Sequence, residues 1–263
     1  MSGIGSCLFQ SQRFAGRLAR GLSVRNGLTS RQRGVHNTDL PSPMSAAQRK
    51  QNRPHAAARR AAMPAFVEPM RPTLAAKPFS DPAYLFELKL DGWRTLCLLR
   101  DGKAHLLSRR RNSLNERFPE LRDIGQLIKA KTALIDGEVV ALDQEGLPRF
   151  DALRSRRRNC AVVLYAFDLL YLDGYDLTGC PLLKRKTLLK HILPKENTGR
   201  IRFTDHIIGD GEALFQKVEA LNLEGIVMKR KDSVYSGLQS RDWLKVRTSA
   251  GKTTIEKRTE TWG

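Results

Sequence analysis

Residues 84–90, YLFELKL, put Leu85, Glu87 and Lys89 on one side of an extended chain and Phe86, Leu88 and Leu90 on the other. A period of two predicts a strand. Residues 94–100 and 103–108 are apolar runs on either side of Asp101-Gly102, a pair suited to a tight hairpin turn. Residues 132–142 and a short run near 147–150 flank DQEG and predict a second hairpin. Residues 161–172, AVVLYAFDLLYL, read as one continuous strand, and EGIVMKR and WLKVRT as two shorter ones. Leu214, Val218 and Leu221 fall at helical spacing, predicting a helix over 211–221; further helices are expected near 117–130 and 181–193. MPAFVEPMRPTLA, from Met63, is punctuated by proline and therefore extended. The pattern predicts an α+β fold of antiparallel sheets with flanking helices and no internal repeat.

Upstream of Met63 this patterning stops. Residues 1–62 hold eleven lysines and arginines against one acid, Asp39, so ten of the nineteen surplus positive charges lie there. Their Arg/Ser/Ala/Gly composition predicts a disordered basic extension. Residues 1–38, which contain no acid, also fit a mitochondrial transit peptide. Two other readings are a start at Met44 or Met63, or a basic arm adding nonspecific attraction to phosphate. The expected organisation is an extension over 1–62, a globular domain over 63–248 and a polar tail over 249–263. A net charge of +19 in 263 residues points to a polyanionic partner, with nucleic acid the usual one. Cys7, Cys97, Cys160 and Cys180 are isolated, which signals neither a zinc ribbon nor a disulfide framework. Cys97 and Cys160 sit in apolar runs and read as core residues. No apolar run approaches the length needed to span a bilayer, so no membrane partner is expected; the chain reads as intracellular, and as mitochondrial if the transit peptide is real.

The charges inside the strands carry the chemistry. FELKLDGWR projects Glu87 and Lys89 together from a strand end, with Asp91, Gly92 and Arg94 in the turn that follows. A lysine held beside other cations and partly desolvated can act as a neutral amine nucleophile. The bland alternative is an edge-strand lysine that blunts aggregation beside an ordinary turn. IDGEVV adds Asp136 and Glu138, YAFDLL adds Phe167 beside Asp168, EGIVMK presents Glu224 and Lys229, and WLKVRT places Lys245 and Arg247 on one strand face. Two phosphate-binding look-alikes fail. SAGKTT has Val246 where a P-loop needs its first glycine, and GDG at 209–211 lacks the third glycine of a dinucleotide fingerprint.

In this order the motifs resemble those of ATP-dependent DNA ligases, shared more loosely with RNA ligases and capping enzymes. LEGIVMKRKDSVYSGLQSRDWLKVR and LLYLDGYDLTGCPLLKRKTLL are similar to the connecting text of the ligase domain of bacterial ligase D. The resemblance implies an ATP-grasp-like nucleotidyltransferase core. Lys89 would take AMP from ATP, Asp91, Gly92 and Arg94 would hold the ribose and orient the phosphate, and Glu87 would read the adenine edge. Phe167 would stack on the base, and Glu138 and Glu224 would organise Mg²⁺ or Mn²⁺. Lys245 and Arg247 would bind the α-phosphate, although the family usually has lysine where Arg247 stands. Ser108, Arg109 and Arg110 would contact the backbone of nicked duplex DNA, with RSRRRN at 154–159 as a second basic patch.

The family's complete enzymes carry an OB-fold after the last of these strands. The fifteen residues after Thr248 are too few and too polar to make one. The expectation is therefore a free-standing, monomeric core that either keeps the later steps while being slow at the first, borrows a DNA clamp from a separate chain, or is a relic. Rival readings are an RNA ligase on the same core, a capping enzyme, and a noncatalytic nucleic-acid-binding module.

Overall fold

The computed structural model describes residues 54–155 and 160–253. Its strands in chain order are β1 (Arg59–Arg60), β2 (Arg71–Leu74), β3 (Tyr84–Leu88), β4 (Trp93–Arg100), β5 (Lys103–Ser108) and β6 (Thr132–Leu142). They continue with β7 (Ala161–Leu172), β8 (Tyr175–Asp176), β9 (Ile201–Phe203), β10 (Ile207–Ile208), β11 (Gly225–Arg230) and β12 (Gln239–Arg247). The helices are α1 (Phe150–Ser155), α2 (Leu182–Ile192) and α3 (Gly211–Ala220). The larger sheet runs β1-β8-β7-β6-β4-β5 with β9 also on β7, and the smaller runs β10-β3-β11-β12-β2. Most pairs are antiparallel; β9 on β7 and β2 on β12 are parallel.

Strand alternation builds three apolar layers from these two sheets. On the outer face of the smaller sheet, Phe86, Ile226, Met228 and Val246 pack against Leu214 and Val218 of α3. On its inner face, Leu85 and Trp243 meet Leu96, Leu98, Leu134 and Phe167 of the larger sheet. The far face of the larger sheet buries Cys97, Leu99, Ile135 and Leu169 beneath Leu121, Ile124, Leu189 and Ile192. The same period sends Glu87, Lys89, Val227, Lys229, Lys245 and Arg247 inward, toward the space between the sheets.

Four sequence expectations are corrected. The helix expected near 117–130 is two 3₁₀ turns, Pro119–Leu121 and Ile124–Leu127. Their threefold period points Phe118, Leu121 and Ile124 into the same core, and Gly125 lies so close to the Gly102 carbonyl that a Cβ would collide with it. The run near 147–150 is shorter than expected: it closes the hairpin, with the Asp143 amide on the Leu147 carbonyl at 3.0 Å and the Arg149 amide on the Ala141 carbonyl at 2.8 Å around the Leu142–Pro148 bridge, but stops at Arg149 because α1 begins at Phe150. The extension expected over 1–62 ends earlier. β1 pairs with β8, Ala58 is buried, and the Tyr171 hydroxyl donates to the Ala61 carbonyl at 2.9 Å. Residues 249–253, expected in a polar tail, form a helical turn in which Gly251 packs against the Glu224 backbone. Residues 1–53 and most of RSRRRN lie outside the described residues. Among the described residues no helix is long and apolar enough to cross a membrane; Cys97 and Cys180 are buried and Cys160 is half-buried.

Candidate functional site

A cleft of about 790 Å³ opens between the two sheets, and every site residue named from the sequence lines it. β3 ends at Leu88, but the Lys89 amide still donates to the Gly225 carbonyl at 2.9 Å, so Lys89 is held in register beside β11. Gly225 has φ +153°, and a side chain there would strike the Val246 carbonyl; only glycine permits this approach. Gly92 is likewise pressed against the Val139 carbonyl, which brings the turn after Lys89 down onto β6.

Lys89 Nζ lies 2.7 Å from Glu224 Oε1, with both side chains mostly buried. The sequence suggests cations around this lysine; the structure adds a carboxylate in direct contact. Burial pushes the Glu224 carboxyl up against the opposing pull of Lys89, and Asp91 adds to the rise. Burial also pushes Glu138 up to about 7, with Arg94 and Lys89 pulling it back and Glu224 and Asp136 adding repulsion. Glu224 Oε2 is buried without a hydrogen-bond partner. Two desolvated carboxylates that repel one another, one with an oxygen unsatisfied, fit a hard divalent cation. Among the described residues no three His, Cys, Asp or Glu side chains cluster as metal ligands. The two carboxylates Glu138 and Glu224 are the residues that could hold Mg²⁺, which keeps waters and takes phosphate oxygens. Lys245 is lowered by burial and by the nearby charges of Arg247 and Lys89, with Glu224 opposing them.

The other end of the cleft is a slot. Val227 is the β11 partner of Glu87, and the Phe167 ring comes from β7 in the opposite sheet. Glu87 is 2% exposed and meets two ammonium groups, Lys186 Nζ at 2.5 Å and Lys229 Nζ at 2.6 Å. Burial alone would raise its carboxyl, but Lys186 and Lys229 outweigh burial and leave it below the usual range. Lys229 also lies over the Phe167 and Trp243 rings, at 4.4 and 4.2 Å from their centroids.

Arg94 is fixed before any ligand arrives. Its Nε and Nη2 donate to the two Asp136 oxygens at 2.6 Å each, its Nη2 also donates to the Met70 carbonyl, and its guanidinium stacks on Phe167 at 4.6 Å. The Tyr235 hydroxyl donates to Asp136 Oδ2 at 2.5 Å and accepts from the Met70 amide at 2.9 Å. The β6–β7 register shifts between Leu134 and Ile135 and again between Asp136 and Gly137, which sets Asp136 and Glu138 at this end of the strand. At the rim, Ser108 Oγ accepts from the Asn112 amide in a tight turn that leaves Arg109 and Arg110 exposed.

Sequence reasoning missed Lys186, Arg185 and Tyr235 as site residues and gave no role to Asp136, Asp168 or Lys229. LLKRKTLLK reads as a solvated basic helix. Yet Arg185 and Lys186 are buried, because Asp168 and Glu87 arrive from strands far away in sequence. Lys229 had a usable signal, since it shares the strand face of Val227.

A family model described as the ATP dependent DNA ligase domain matches residues 64–247. The multifunctional non-homologous end joining protein LigD of Pseudomonas aeruginosa is 34% identical over 190 residues, covering 70% of this chain and 22% of that protein. The SPbeta prophage-derived DNA ligase-like protein LigB of Bacillus subtilis is 37% identical over 187 residues, covering 69% of this chain and 67% of that protein. A solved structure of mycobacterial DNA ligase D complexed with ATP and MES superposes with a TM-score of 0.61 at 31% identity, over 69% of this chain and 60% of that one. The chain thus spans about a fifth of the LigD relative and 60% of the solved ligase D chain. The matched span takes in both sheets except β1 and every residue assigned to the cleft, and on that footing the chain belongs to the ATP-dependent DNA ligase domain family.

Proposed function

We propose that this chain is a nucleotidyltransferase core that seals nicks in duplex DNA, with Lys89 as the nucleophile. The observation that carries the reading is the placement of Lys89 between a base-sized slot and a pocket of carboxylates and cations. ATP would enter with its base between Phe167 and Val227, its amino edge toward Glu87, and its α-phosphate toward Lys245 and Arg247. Arg94 would hold ribose and phosphate, preset by Asp136; Asp91 and Gly92 shape the turn beside them.

In the first step Lys89 Nζ gives its proton to Glu224 Oε1, the acceptor 2.7 Å away, whose raised basicity favours the transfer. The free amine attacks the α-phosphorus; an N–P bond forms and the bond to the bridging oxygen breaks, releasing pyrophosphate. In the second step a DNA 5′-phosphate oxygen displaces Lys89 from the adenylate, and the amine recovers its proton. In the third the 3′-hydroxyl attacks that 5′-phosphorus and AMP departs. Each step is phosphoryl transfer, governed by positioning and charge. A divalent ion held by Glu138 and Glu224 would supply further charge neutralisation at the phosphates. Lys245 and Arg247 bring fixed positive charge to the same oxygens. Arg109, Arg110 and Ser108 would set the register of the duplex through its backbone.

The test is sealing of a duplex with one 5′-phosphorylated nick, run beside the same nick already adenylylated and beside an all-RNA nick. The proposal expects joined DNA from the first two and little from the third. Joining confined to RNA would favour an RNA ligase. Retention of nicked DNA with no joining, even of the adenylylated nick, would favour a binding module.

A further inference from the structure

Lys186 lies on α2, outside every motif read from the sequence, yet it is 1% exposed and sits behind Glu87, the carboxylate that lines the slot. An ammonium has three protons to donate. Lys186 Nζ donates to the Thr204 carbonyl at 3.0 Å and to the Phe167 carbonyl at 3.4 Å, and its charge pairs with Glu87 Oε1 at 2.5 Å. One side chain therefore ties the carboxylate on the slot floor to the backbone of the aromatic that forms its wall. Its helix is itself anchored there: neighbouring Arg185 makes a bidentate pair with Asp168, at 2.8 Å on both oxygens, and Asp168 follows Phe167 in β7.

The consequence for Glu87 is chemical. A carboxylate buried to this extent is stable as an anion only when its charge is matched. Lys229 serves Oε2 with a hydrogen bond at 2.6 Å. Lys186 meets Oε1 as an ion pair without an aligned hydrogen bond, so Oε1 retains lone pairs for a ligand. An ionised carboxylate only accepts. A donor at the 6-position of a purine fits it, and a purine without that donor leaves Oε1 buried and unpaired.

We propose that Lys186 is a specificity-determining positioning residue, which fixes Glu87 as the acceptor that selects a 6-amino purine nucleotide. The inference rests on the adenylylation reading above and names how that site chooses its base.

The experiment measures lysyl–nucleotide formation by the full chain with ATP and with purine riboside triphosphate, which lacks only the 6-amino group. Wild type should favour ATP by roughly 10- to 150-fold in kcat/KM, the range that a hydrogen bond to a charged group supplies. Lys186→Met should reduce that ratio to about threefold or less, chiefly by slowing ATP, while Lys186→Arg keeps most of it. Circular dichroism checks the fold, and Lys186→Gln serves if the methionine variant does not fold. Equal losses on both nucleotides would mean a merely structural role and overturn the inference, as would a ratio that does not move. Those results leave wild-type labelling intact, so they sink the role of Lys186 alone. No lysyl–nucleotide from wild type with either triphosphate would overturn the adenylylation reading and this inference together.

Discussion

Lys89 Nζ lies 2.7 Å from Glu224 Oε1, across the seam where the end of β3 meets the start of β11. The contact joins the proposed nucleophile to a carboxylate that the proposal gives both a proton and a metal. It depends on the glycine at 225, because the chain must pass directly over Val246 at that point. The chemistry of the cleft is thus tied to backbone geometry that a single Cβ would break.

Arg94 offers a test of how rigidly the cleft is preset. Tyr235→Phe keeps the ring against Trp243 but removes the hydroxyl that serves Asp136. The loss leaves a buried carboxylate oxygen and the Met70 amide each short of a partner, a cost of about 1–3 kcal/mol. Chemical denaturation should show that loss. Lysine adenylylation should slow by about tenfold, with kcat affected more than KM, since Arg94 is then less firmly aimed. An unchanged rate in the destabilised variant would mean that Arg94 is held well enough without Tyr235.

His206 predicts acid sensitivity. Burial lowers it to about 4, helped by Lys186, Lys190 and Lys229 and opposed by Glu87. Its folded pKa lies below its unfolded one, so the unfolded state binds more protons between about pH 6.5 and 4. The stability it contributes is complete above about pH 6.5 and is lost as pH falls toward 4, by at most about 3 kcal/mol. Glu138, raised to about 7, gains stability over the same fall in pH, so the test is comparative: between pH 7.5 and 5 wild type should lose more stability than His206→Gln. Equal changes in both would assign the acid sensitivity elsewhere.

Arg109 and Arg110 test the rim. Replacing both with alanine should weaken binding to nicked duplex and lower the slope of log K against log salt by about two. Adenylylation of Lys89 should stay within about twofold, because neither guanidinium is needed to place ATP. A slope that does not change would remove the rim from the DNA path.

The alternation in YLFELKL and WLKVRT was legible because each places its charges on one strand face only. The motif residues were legible for the same reason: a charge in an apolar strand stands out. Lys186 and Arg185 were not, because a helix rich in lysine and arginine looks solvated until Glu87 and Asp168 are brought beneath it by pairings that sequence spacing does not encode. The 3₁₀ turns at 119–127 were misread as a helix because periods of three and 3.6 differ little over so few residues. The start of the folded part was misplaced because β1 has two residues, both arginine, and is held by backbone pairing with β8.

The most direct test of the central claim is covalent labelling of purified protein with ATP and Mg²⁺, the label on either the α- or the γ-phosphate, beside Lys89→Ala. Label from the α-phosphate alone, acid-labile and missing from the variant, is the result expected of a lysyl phosphoramidate at Lys89. Label retained in Lys89→Ala, or label arriving from the γ-phosphate, would contradict it.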